Sequence, residues 1–85
     1  MNEDEARQVA LNLESFLTMH KEELFAIAQA NGYPPTGAYN YVNEYNACIN
    51  GIRNFLQNPT EPSLYIINEG LTQLTYFLTH PHIKR

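Results

Sequence analysis

His20, Cys48 and Asn68 are the residues of this sequence whose types could act together chemically. Imidazole and thiolate both ligate zinc, and a cysteine beside a histidine can be activated as a nucleophile. On a helical wheel His20 falls inside an apolar arc, between Phe16 and Leu24, where an imidazole must find hydrogen-bond partners. Counting outward from the loops of an antiparallel bundle puts it level with Cys48 and Asn68, so a polar layer in mid-bundle is expected. Two soft ligands and an amide do not complete a tetrahedral zinc set, and no local ligand spacing supports one. The layer is therefore expected to be structural, a hydrogen-bonded histidine beside an inert thiol, with no metal and no cofactor.

The remaining candidates are weaker. His80-Pro81-His82 is a lone H-x-H pair, and His80 is expected to meet the last carbonyls of the preceding helix. Glu22 with Glu23, and Glu3 with Asp4 and Glu5, are adjacent carboxylates. Neighbours on a helix point about 100° apart, so they do not converge on a substrate, and the first set instead complements the helix dipole. The sequence has no P-loop, G-x-G-x-x-G, H-E-x-x-H, EF-hand or G-x-S-x-G pattern. Short helices leave little room for a cleft, so no enzymatic activity is expected.

The elements that position these residues are all helical, and the chain reads as a single domain over 1–85. Three segments of helical periodicity are separated by loops rich in proline. The first runs from about Glu3 to Ala30, with Asn2 as its cap and Asn31-Gly32 as its stop, and its apolar residues include Ala6, Val9, Leu13, Phe16, Leu17, Leu24 and Ile27. The second begins near Thr36 and ends near Gln57, with Tyr41, Tyr45, Cys48, Ile49, Ile52 and Phe55 at regular 3–4 spacing. Thr60 or Glu61 opens the third, Pro62 suits its first turn, and His80-Pro81 closes it behind a row of Leu64, Ile67, Leu71, Leu74 and Leu78. Short loops make consecutive helices antiparallel, so an all-α, three-helix, up-down-up bundle is predicted, with four helices if the first segment breaks near residues 18–21.

Composition narrows the partners. The 85 residues are 44% hydrophobic but only 16% charged, with a formal charge of −4, and ten asparagines supply much of the polarity. Lys84-Arg85 is the only cationic pair, too little to neutralise a nucleic-acid backbone. No signal peptide and no membrane span are read, and with one cysteine a reducing cytoplasm is the expected setting.

Three faces are candidates for contact with another protein or with the chain itself. Behind its core stripe the second segment carries Asn40, Asn43, Ala47, Asn50, Gly51 and Asn54, small and amide side chains suited to close helix approach. The third segment has a second stripe, Ile66, Gly70 and Phe77, explained either by a central position in the bundle or by exposure to a partner. Tyr33 and Tyr39 flank a rigid Pro34-Pro35 turn, and either make a contact site or include a ring that staples the loop to the bundle end.

In size and layout the chain is similar to small helical immunity proteins, phage-encoded inhibitors and secretion chaperones, but it shares no motif with them, and fold-level likeness carries no function. The expectation is a non-enzymatic interaction or regulatory module, a homo-oligomer or a binder of another protein. The alternative is a small-ligand sponge or sensor with a pocket of Tyr, Asn and His20 side chains.

Overall fold

The computed structural model describes residues 3–38 and 40–82, so Asn2, Tyr39, Lys84 and Arg85 lie outside the described residues. Four helices follow one another: α1 Glu3–Met19, α2 Lys21–Ala30, α3 Tyr41–Gln57 and α4 Glu61–Thr79, with no strand among the described residues. The first predicted segment is thus two helices, broken at His20. That residue sits near the bridge region (φ −105°, ψ 16°), and no proline is needed to turn the chain. Two side-chain hydrogen bonds reach carbonyls just before it. Thr18 Oγ1 donates to the Glu14 carbonyl at 2.7 Å, and Tyr45 Oη on α3 donates to that of Leu17 at 2.8 Å.

Local chemistry sets the other boundaries. The N–H of Tyr33 donates to the Ala28 carbonyl and that of Gly32 to Gln29, a Schellman stop that requires the positive φ of 94° at Gly32. α3 begins at Tyr41, five residues later than the start near Thr36 read from the sequence. Asn40 is the reason: its side-chain oxygen accepts from the Asn43 N–H at 2.8 Å while its amide donates to the Gly37 carbonyl at 2.6 Å. One buried amide thus closes the turn and caps the helix, which Thr36 cannot do from the wrong side of the turn. Thr60 caps α4 by accepting from the Ser63 N–H, with Pro62 in the first turn.

α3 is the central helix. It packs on each of the other three, and its stripe of Tyr41, Tyr45, Cys48, Ile49, Ile52 and Phe55 is buried. α4 lies antiparallel along it, most closely where Gly51 meets Ile66 and Ile67 and where Gly70 meets the Cys48 backbone. α1 is antiparallel to α3 too, since Tyr45 near the start of α3 reaches Leu17 near the end of α1. α1 and α4 therefore run parallel to each other, flanking α3.

α2 folds over the far end. Phe25 sets its ring edge-on to Tyr41 and Tyr45, each at 5.2 Å, and Ala28, Tyr33, Tyr41 and Phe77 form a second buried cluster. The molecule is elongated, 46 × 23 × 19 Å.

Candidate functional site

The expected polar layer does not form. Cys48 is buried at 1% exposure, whereas Asn68 is exposed and His20 sits partly exposed at the α1–α2 junction. The helix break is the physical reason: counting along one straight helix carried His20 into the core, but the chain turns there. Its Nδ1 pairs with Glu23 Oε1 at 3.0 Å, and its ring lies 4.8 Å from Phe16. Burial pushes the Cys48 thiol up to about 11, so it is protonated at neutral pH and a poor nucleophile. No group of three or more His, Cys, Asp or Glu residues among those described is placed to hold a metal ion.

The second candidate face divides. Asn43, Ala47, Asn50 and Asn54 are exposed, but Gly51 is buried inside the chain's own α3–α4 contact, where an added Cβ would lie 3.3 Å from Ile66 Cγ2. It faces α4, so a carboxylate there, unlike a methyl, would disrupt α3–α4 packing before it could disturb any assembly. The spare stripe of α4 divides as well. Phe77 is wholly buried and Gly70 abuts Cys48, while Ile66 remains 56% exposed. It is α3, not α4, that holds the centre.

Tyr33 is buried, and its hydroxyl donates to the His80 carbonyl while its ring stands edge-on to Phe77 at 4.6 Å. It staples the loop to the end of the bundle. The segment after α4 closes over the same place: the His82 N–H donates to the Asn31 carbonyl at 2.7 Å, and Asn31 Nδ2 donates to the Phe77 carbonyl. The His80 backbone N–H donates to the Tyr76 carbonyl, and its ring stacks on Tyr76 at 4.4 Å. The H-x-H pair is thereby used in closing the bundle end.

Sequence reasoning missed one apolar groove among the described residues. α1 and α4 each lean on α3 more than on one another, which leaves a groove of about 320 Å³ between them. Ala6, Val9, Ala10 and Leu13 line one wall; Leu64, Ile67, Asn68 and Leu71 line the other. Val9 is 52% exposed and Leu64 47%, although both belong to the apolar arcs read as core. Each wall spans two helical turns, roughly 10 Å at about 1.5 Å per residue.

Glu5 lies one turn before Val9 in the first turn of α1, and Glu61 one turn before Leu64 in the first turn of α4. The described cations are engaged elsewhere. Arg7 pairs with Glu3 at 3.6 Å, Arg53 with Glu14 at 2.9 Å, and Lys21 sits over the Phe25 and Tyr45 rings.

No helix among the described residues is long and apolar enough to cross a membrane. Comparisons with protein-family models, with curated proteins and with solved structures gave no match.

Proposed function

We propose that this chain is a non-enzymatic interaction module that receives an amphipathic helix in the groove between α1 and α4. The observation that carries the reading is the half-exposure of Val9 and Leu64 on the two walls of a continuous apolar groove. Two parallel helices lying on α3 present three sides of a four-helix arrangement, and a docking helix supplies the fourth. Apolar residues at i, i+3 or i+4, and i+7 of that helix match a groove two turns long.

The small-ligand alternative finds less support. Such sites enclose most of their ligand and aim several polar groups at it. This groove is open along one side, and among the described residues Asn68 is its only polar lining residue. The side chains expected to line a ligand pocket do not converge either. Tyr33, Tyr41 and Tyr45 are buried in the core, His20 pairs with Glu23, and Asn43, Asn50 and Asn54 lie exposed on α3.

The test is fluorescence anisotropy with a labelled synthetic helix of about 14 residues carrying one leucine stripe. Wild type and Ala47→Glu are expected to bind alike, while Val9→Glu and Leu64→Glu, which place a carboxylate in the groove, bind about tenfold or more weakly with unchanged circular dichroism. Equal binding by all four proteins, or by none, contradicts the proposal.

A further inference from the structure

We infer that Asn31-Gly32 is a site of spontaneous deamidation, gated by opening of the bundle end, and that the conversion then holds that end open. The sequence has two Asn-Gly pairs, Asn31-Gly32 and Asn50-Gly51. In such a pair the glycine nitrogen, unshielded by a side chain, attacks the asparagine Cγ. A C–N bond forms to close a cyclic imide, and the side-chain nitrogen leaves as ammonia, carrying the proton displaced from the glycine. Water then opens the imide to aspartate or isoaspartate.

The closed turn blocks this attack. Ring closure needs the asparagine Cβ and the glycine nitrogen nearly eclipsed about the Cα–C bond, and the ψ of −2° at Asn31 keeps them apart. The Gly32 N–H is also donated to the Gln29 carbonyl at 3.0 Å. Asn31 itself ties the turn shut, since its carbonyl accepts from the His82 N–H at 2.7 Å and its Nδ2 donates to the Phe77 carbonyl at 3.0 Å. Lifting the segment after α4 breaks the first of these ties. Asn50-Gly51, by contrast, lies in the middle of α3, which packs on the other three helices, and it is freed only when the whole fold opens.

Conversion reinforces the opening. A carboxylate at position 31 has no N–H to donate, so an oxygen faces the Phe77 carbonyl where Nδ2 stood. Isoaspartate also adds a backbone carbon to the turn, which breaks the hydrogen-bond spacing of the Schellman stop. Tyr33 and Phe77 of the second buried cluster are then uncovered. This end of α4 lies beyond the groove residues Leu64 to Leu71, so the inference stands apart from the groove reading.

The experiment incubates the full chain in mildly alkaline buffer and follows Asn31 and Asn50 by peptide mapping that resolves aspartate and isoaspartate, with the urea-unfolded chain as reference. In the folded protein Asn31 is expected to convert more slowly than in urea but about tenfold or more faster than Asn50. His82→Pro removes the N–H that closes on Asn31 and is expected to speed conversion at Asn31 alone. Asn31→Asp stands for the product, and its amide exchange at Tyr33 and His82 is expected to exceed that of Asn31→Ala, which loses the bond without adding an opposing oxygen. An unconverted Asn31 in the folded protein, conversion of Asn50 at the same rate, or equal acceleration of both sites in His82→Pro overturns the gate. Equal exchange in Asn31→Asp and Asn31→Ala overturns the persistence of the open end.

Discussion

The Tyr45 hydroxyl donates a 2.8 Å hydrogen bond to the Leu17 carbonyl, joining the start of α3 to the end of α1 at a buried point beside the helix break. Tyr45→Phe keeps the ring against Phe25 but leaves a carbonyl at a helix end without this donor. An unsatisfied buried acceptor costs about 1–3 kcal/mol. For a chain of this size that lowers the melting temperature by about 4–8 °C per kcal/mol. Thermal melts should show this loss with helical content retained, whereas Tyr65→Phe on the exposed face of α4 should leave the melt unchanged.

The two glycines of the α3–α4 contact should respond oppositely to alanine. At Gly51 the new methyl meets the Ile66 side chain, which is half-exposed and can rotate away, so the gain in helix propensity of about 1 kcal/mol should prevail. At Gly70 it meets the Cys48 Cα at 3.3 Å, and only a movement of α3 relieves that. Denaturant melts should place Gly51→Ala at or above wild type and Gly70→Ala clearly below.

Cys48 should stay unreactive toward a thiol reagent until the protein unfolds, since it is buried and its thiol is pushed from 9.0 to about 11 by desolvation. The fold favours the protonated form, so this contribution to stability is complete below pH 9 and is lost as pH rises through about 11. Stability measured across that window should fall, and thiolate absorbance of the folded protein should rise near its upper end. A thiol that titrates near 9 in the folded protein would contradict this burial.

Closure of the bundle end should depend on Gly32. Its φ of 94° disfavours any side chain, and a Cβ would lie 2.9 Å from the His82 carbonyl oxygen. Gly32→Ala should therefore cost about 1–2 kcal/mol from backbone conformation alone. Amide exchange at His82, whose N–H reaches the Asn31 carbonyl, should rise most. If exchange there is unchanged, the segment after α4 does not close over the loop.

Local signals were legible in the sequence because their causes are local. The Asn31-Gly32 stop, the Thr60 cap and the 3–4 spacing of α3 each depend on residues within a turn of one another. Even the break near His20 was readable as an alternative, although the bond that marks it comes from Tyr45 on another helix. What was not legible is where the apolar arcs meet. Periodicity says that Val9 and Leu64 face inward on their own helices, but the lean of α1 and α4 toward α3 leaves both half-exposed. Gly51 was read as a surface feature for the same reason, since the Ile66 side chain that meets it belongs to another helix, while for Tyr33 the sequence left contact site and staple open and the ring packed on Phe77 decides for the staple.

The most direct measurement is a nitrogen-15 chemical-shift titration of the wild-type protein with the synthetic helix that carries one leucine stripe. Docking in the groove predicts amide shifts concentrated at Ala6, Val9, Ala10 and Leu13 on α1 and at Leu64, Asn68 and Leu71 on α4, with Asn43, Asn50 and Asn54 unmoved. Shifts confined to the asparagine face of α3, or to the Tyr33 end of the bundle, would contradict it.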